Sequence, residues 1–253
     1  MKFSVVTIVY NDVAHIEATI LSVLSQSHPD TEYIVIDGAS TDGTSDIIRK
    51  YSARITTCIR EKDTGIYNAM NKGLEKATGD YVIFMNSGDR FSSDSVLSDI
   101  NDCIGPATPA VVYGTYRESV NGIPGTIIPC RKPSMIWYGP VASHQSTFYN
   151  VDFLRNNHLR YDESYKIGAD YKLTLQAITA AGKNLLKTDI CVSDFDLSGL
   201  SNTSQNQGLE DANRARREVL RWGHVRCFGM KIILLGARYC KRYATPIYNC
   251  LRK

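Results

Sequence analysis

The seven cysteines, Cys58, Cys103, Cys130, Cys191, Cys227, Cys240 and Cys250, are scattered, odd in number and never spaced Cys-x-x-Cys. Neither a disulfide framework nor a zinc site is suggested, and a reducing compartment fits best. No apolar run approaches the ~18 residues that a membrane span requires. Met1 to Thr7 enters a strand at once and shows no signal-peptide pattern, so the chain is expected to be soluble and cytoplasmic. No Gly-x-Gly-x-x-Gly follows the first strand and no Gly-Lys-Ser/Thr loop occurs, which disfavours a dinucleotide dehydrogenase and a P-loop NTPase. RRM, KH and helix-turn-helix patterns are missing too, so no nucleic-acid partner is expected.

What is present is 253 residues with 43% hydrophobic content, enough for one large core or two small ones. The net charge of +3 hides an asymmetry: from Ala212 to Lys253 there are eleven Lys and Arg against the single acid Glu218, so the body is mildly acidic and the end strongly basic.

Val5 to Tyr10 reads as a β-branched strand followed by Asn11-Asp12 as turn and helix N-cap, and Val13 to Ser27 carries apolar residues at helical spacing. Tyr33 to Asp37 is a second buried strand, after which Thr44 or Ser45 can cap a helix running to Tyr51. Ile55 to Ile59 is a third strand and Ile66 to Ala77 a helix. Tyr81 to Met85 is a fourth, fully apolar strand that stops at Asn86-Ser87-Gly88-Asp89. Four strands with three intervening helices predict βαβ units, a parallel sheet with helices on both faces. Beyond Asp89 the rhythm changes. Ser95 to Ile104 reads as a helix, Ala110 to Gly114 as a strand, Gly122 to Pro140 as irregular or hairpin-rich, His144 to Tyr149 as an alternating strand, and Asp170 to Ala181 as a helix.

Asn11, Asp37, Asp63 and Asp89 sit at strand ends. Each alone reads as a turn or cap residue, but the carboxyl ends of one parallel sheet share a rim where ligands collect. A nucleotide diphosphate held without a glycine cradle needs another way to neutralise its phosphates. A divalent cation on one or two carboxylates does this, and Asp89 suits it.

Thr7-Ile8-Val9-Tyr10-Asn11, Ile36-Asp37-Gly38-Ala39-Ser40-Thr41-Asp42-Gly43-Thr44, Asp63 to Gly73, and Asn86-Ser87-Gly88-Asp89 resemble, in this order, the family 2 glycosyltransferases of the GT-A fold, in particular the bacterial surface-polysaccharide and colanic-acid-type subset. The resemblance implies an α/β GT-A domain over residues 1–205, with a Rossmann-like nucleotide-sugar-binding half (1–91), an acceptor-side half (92–205), a mixed, mostly parallel sheet flanked by helices, and a basic helical extension (206–253). It implies inverting transfer from a nucleotide diphosphate sugar, UDP- rather than GDP-linked, with Mn2+ or Mg2+ at Asp89. Tyr10 and Asn11 would lie by the nucleoside, Asp37 would bond to the base and Asp63 would lie near base or ribose. Thr7, Asn71, Lys72, Asn86, Ser87 and Gln145 join the substrate-binding positions. The sequence departs from the pattern at Gly38, Asn86 and Gly88, where carboxylates are commoner.

A general base must take a proton from the acceptor hydroxyl. Asp170 resembles the family's position for it; its other reading is a helix cap, and Asp162 and Glu163 are competitors. His144 resembles the His-Gln pair of a subset and is placed in the catalytic site, while Ser198 to Ser201 resembles a loop over the donor phosphates. Phe228 to Gly236, followed by Arg238, Lys241 and Arg242 among tyrosines, reads either as a helix packed on the body or as an amphipathic segment held to anionic lipid. The whole is expected to be a peripheral enzyme on the inner face of the cell membrane with a lipid-linked oligosaccharide acceptor. A nucleotidyltransferase and a non-catalytic nucleotide-sugar-binding subunit are the alternatives.

Overall fold

The structure is a computed structural model that describes residues 1–120, 123–196 and 205–243. Alternation along the first strands decides how the sheet is covered. In β1 (Phe3–Val9) and β2 (Thr31–Asp37), Val6, Ile8, Ile34 and Ile36 point to one face, and Phe3, Val5, Val9 and Val35 to the other. Both sets are buried, so helices must pack on both faces.

They do so in order. α1 (Ile16–Leu24), α2 (Thr44–Lys50) and later α4 (Val96–Ile104) cover one face, with Ile20, Ile48 and Leu97 in its core. α3 (Ile66–Lys76), α5 (Val151–Asn156) and α6 (Ala169–Ala181) cover the other through Met70, Leu154 and Leu173. β3 (Thr57–Arg60) and β4 (Tyr81–Phe84) complete a parallel β3-β2-β1-β4 unit. All four carboxyl ends therefore open on the same rim.

The second half extends this sheet with mixed pairing. β8 (Thr147–Asn150) runs antiparallel to β4 with Tyr81 opposite Asn150 and Val82 opposite Tyr149. β6 (Val111–Val120) is antiparallel to β8 and parallel to β9 (Leu185–Asp196), and the short β5 (Arg90–Phe91) closes that edge. The stretch expected to be irregular or hairpin-rich holds β7 (Ile123–Ile128), a hairpin partner of β6.

Three local expectations need correction. Asp12 is not the cap of α1: His15 precedes the helix without a side-chain cap bond, while the Asp12 carboxylate accepts from Ser87 Oγ at 2.6 Å. Neither Thr44 nor Ser45 caps α2; Asp42 Oδ1 accepts from Thr44 N at 3.0 Å instead. His144–Ser146 is a 3-10 turn, and only Thr147–Asn150 is strand. Residues near the start of the expected extension are built into the body. α7 (Gln205–Leu220) packs on α6, Ala215 lies in the main core, and the buried Arg216 guanidinium donates to the carbonyls of Trp137 (2.7 Å) and Tyr138 (3.0 Å) over the Tyr171 ring. α8 (His224–Tyr243) follows on α7.

Candidate active site

The rim is organised by the turn after β4. Gly88 takes φ +98°, a left-handed value that an L side chain resists, and Asp89 N donates back to Asn86 O at 3.0 Å. Thr19, fully buried on α1, pins the turn from below: its hydroxyl accepts from Gly88 N (3.0 Å) and donates to Asp89 O (2.8 Å). The Asp89 carboxylate is itself nearly buried, and its Oδ2 accepts from Gln145 Nε2 at 2.6 Å. Gln145 is in turn held by Ser143 Oγ. Gln145, expected to touch substrate, is thus buried and acts on the rim through Asp89.

The antiparallel β4–β8 register explains why His144 and Gln145 are here at all. The chain enters β8 beside the end of β4, so the 3-10 turn meets Asn86 to Asp89. His144 Nε2 lies 3.0 Å from Asn86 Nδ2, and its Nδ1 lies 3.7 Å from Asp170 Oδ2. With the Asn86 amide donating to Nε2, the neutral ring carries its proton on Nδ1, toward Asp170. Burial lowers the His144 pKa from its ordinary value, opposed by the Asp170 carboxylate. Asp170 is the second residue of α6, so the helix N-terminus aims it at this cluster.

The α6 N-terminus has its own anchor. Asp211 Oδ2, on α7, accepts from the backbone N–H groups of Lys166, Ile167 and Gly168 at 3.2, 3.0 and 3.2 Å. Tyr67 of α3 donates to Ile167 O from the other side. Sequence reasoning missed both Thr19 and Asp211. A Thr or Asp inside an amphipathic helix looks like any other polar residue until the fold brings a distant turn to it.

Asp162 and Glu163, the competing bases, are engaged elsewhere. Asp162 pairs with Lys172 at 2.6 Å and Glu163 accepts from Asn68 (3.0 Å) and Asn71 (2.9 Å).

The nucleoside end of the rim is built from β1, β2 and β3. Tyr10 exposes 67% of its surface, and Asn11, at φ +49°, accepts from Thr41 N at 2.8 Å while its own N–H donates to Ser40 Oγ. Gly38 sits between Tyr10 and Asp63: a Cβ there would stand 2.9 Å from Asp63 Oδ2 and 3.3 Å from Tyr10 Cδ2. Lys72 neutralises Asp63 at 2.6 Å and Glu61 at 2.7 Å.

Besides Gln145, three expected substrate contacts face inward instead. Thr7 is fully buried, donating to Met85 O and accepting from Tyr33 OH. Asn71 is buried against Tyr161, its amide closing on that residue's N–H and C=O. Asp37 is 1% exposed, its oxygens taken by Ser40 N and Ser45 Oγ with Arg60 3.5 Å away, so it shapes the turn carrying Gly38 and does not face the rim. The Ser198–Ser201 loop lies outside the described residues.

A divalent cation on this rim would need hard oxygen donors. No cluster of three or more His, Cys, Asp or Glu suited to a metal occurs among the described residues. Asn86 Oδ1, in the same turn as Asp89, is buried with no hydrogen-bond partner. Asp89 and Asn86 together offer hard oxygen donors, which fits a cation taking its remaining ligands from diphosphate and water.

Residues 4–124 match Glycosyl transferase family 2. That match covers 121 of the 253 residues, just under half of the chain. Bacillus subtilis (strain 168) TuaG, named for teichuronic acid biosynthesis, is 45% identical over 96 residues, which is 37% of this chain and 38% of TuaG. The alignment thus spans little more than a third of that relative. The fold matches S. aureus TarS 1–349, solved in complex with UDP, at a TM-score of 0.69 and 21% identity, over 97% of this chain and 73% of that one. It also matches mannosyltransferase PcManGT from Pyrobaculum calidifontis, solved with GDP-Man and Mn2+, at a TM-score of 0.67 and 17% identity, over 88% and 65% of the two chains. The overall architecture is the GT-A fold.

Proposed function

We propose that this chain is a family 2 glycosyltransferase that moves a sugar, with inversion, from a UDP-sugar to a hydroxyl of a lipid-linked oligosaccharide or growing surface polysaccharide, at the inner face of the cell membrane. The observation that carries the mechanism is the convergence of Asn86, Asp89, His144 and Asp170 on one rim. Residues 1–91 form the donor half. Tyr10 offers an exposed ring for the base, and Asp63, kept in place by Lys72, lies beside it. TarS was solved with UDP and PcManGT with GDP-Man and Mn2+, which supports a nucleotide-sugar donor and a divalent cation.

Asp89, with Asn86 Oδ1, would hold Mn2+ or Mg2+, whose charge offsets the negative charge developing on the departing diphosphate. Asp170 takes the proton of the acceptor hydroxyl as that oxygen attacks the anomeric carbon from the face opposite the diphosphate. A single displacement of this kind inverts the anomeric centre. His144 spans the two ends, its Nε2 toward Asn86 and its Nδ1 toward Asp170, and so keeps base and donor site in a fixed relation. A neutral imidazole there adds no second positive charge beside the acceptor.

Isothermal titration with UDP- and GDP-sugars, with and without Mn2+, tests the donor reading; NMR of the product's anomeric configuration tests the displacement. Tighter, Mn2+-dependent binding of UDP-sugars and an inverted product are expected. A retained configuration would rule out the single displacement.

A further inference from the structure

α8 buries one side only. Cys227 and Met230 face α7, with Cys227 Sγ 3.8 Å from Asn213 O. On the opposite side Val225 (86% exposed), Phe228 (66% exposed), Ile232 and Leu235 follow at intervals of three, four and three residues, with Ile233 beside them. That spacing draws a single stripe along the helix, pointing away from the body. Arg226 and Lys231 lie on its two flanks, and Arg221 is exposed just before the helix. No described helix is long and apolar enough to cross a membrane.

We propose that this face of α8 is a lipid-docking surface: the helix lies in the membrane plane, its apolar stripe among the acyl chains and its basic flanks against anionic headgroups. Charge decides for lipid over a second copy of the chain. From Arg221 onward the sequence holds eight basic residues and no acid, so two such faces would repel while an anionic surface attracts. Area agrees. A 20-residue helix is about 30 Å long and about 10 Å wide, a strip of roughly 300 Å² against the roughly 800 Å² per partner of a stable protein interface.

The placement also gives the surface a use. α7 packs on α8 and on α6, and through Asp211 it anchors the turn that carries Asp170. Docking on α8 therefore holds the proposed base in a fixed relation to the bilayer. This use rests on the lipid-linked acceptor proposed above; the docking surface does not.

The test uses the full chain and vesicles of phosphatidylcholine with and without phosphatidylglycerol, read by co-sedimentation. Trp137 and Trp222, the two tryptophans, stand 6.1 Å apart at the entry to α8, so their emission gives a second readout. The wild type should bind anionic vesicles at least ~10-fold more tightly than neutral ones, with a blue shift of emission. Phe228→Glu with Ile232→Glu, both at exposed positions, should lower anionic-vesicle binding at least ~10-fold and leave UDP-sugar affinity unchanged. Arg226→Glu with Lys231→Glu should erase the preference for anionic lipid. Equal vesicle binding by the wild type and the Phe228/Ile232 variant would overturn the proposal. So would a wild type that ignores vesicles but sediments as a dimer that this variant abolishes. If the wild type docks on anionic vesicles yet glycosylates only water-soluble acceptors, the docking surface stands and the lipid-linked acceptor falls.

Discussion

Replacing Asp211 with Ala removes the acceptor shared by the N–H groups of Lys166, Ile167 and Gly168, two residues before the proposed base. A hydrogen bond to a charged group is worth about 1.5–3 kcal/mol net, but three donors converge on one oxygen and cannot each have full value. A loss of about 3 kcal/mol is the reasoned figure, which for a chain of this size lowers the melting temperature by roughly 6–12 °C. The same loop sets the start of α6, and a displacement of about 1 Å at a reacting group can lower a rate by about 10²-fold. Turnover should therefore fall by about 10- to 100-fold while the donor dissociation constant stays put, because the donor half is untouched. Asp211→Asn keeps an acceptor oxygen and should recover part of both losses. Differential scanning calorimetry, calorimetric donor titration and a sugar-transfer assay make the separation. Unchanged turnover in a folded, destabilised Asp211→Ala protein would refute the link from α7 to the base, leaving Asp211 a structural cap only.

Gly38→Ala places a Cβ 2.9 Å from Asp63 Oδ2, so nucleotide-sugar affinity should weaken by about 10-fold, measured by titration, with little change in melting temperature. Gln145→Leu removes the amide that donates to Asp89 Oδ2 and should weaken the Mn2+ dependence of donor binding more than donor binding without the ion, which paired titrations read. Glu32 gives a pH prediction. Burial pushes its carboxyl up, but bonds from Ser4, Thr78 and Lys2 outweigh it and bring it from 4.5 to about 2. Its folded pKa is depressed, so its contribution is present above the unfolded value of 4.5 and is lost as pH falls from there toward about 2. The depression corresponds to about 3 kcal/mol, and Glu32→Gln should flatten acid unfolding across that window in urea titrations at stepped pH.

The first half was legible because its signals are local. Apolar runs such as Tyr81 to Met85, short and bounded by turn residues, read as buried strands, and their parallel order puts Asn11, Asp63 and Asp89 on one rim. Asp37 shares that address but turns inward, since a strand end fixes where a residue sits and not which way its polar atoms are satisfied, and Thr7 lies within β1 and is buried there. His144 to Tyr149 alternates like a strand, yet the demand of bringing Gln145 onto Asp89 leaves its first three residues in a 3-10 turn. What α7 buries was hardest to read. A helix with Arg214, Arg216, Arg217 and Glu218 looks solvated, but Arg216 is buried because the carbonyls of Trp137 and Tyr138 and the face of Tyr171 together satisfy its guanidinium.

The central claim is that Asp170 removes the acceptor's proton on a rim whose donor side is held separately by Asp89. Asp170→Asn tests it most directly, with donor affinity by titration and turnover by sugar transfer measured on the same preparation. Donor affinity should match the wild type while turnover falls by at least the ~10²-fold of a lost general base. Turnover equal to the wild type would contradict the account and move the search for the base to Asp162 and Glu163.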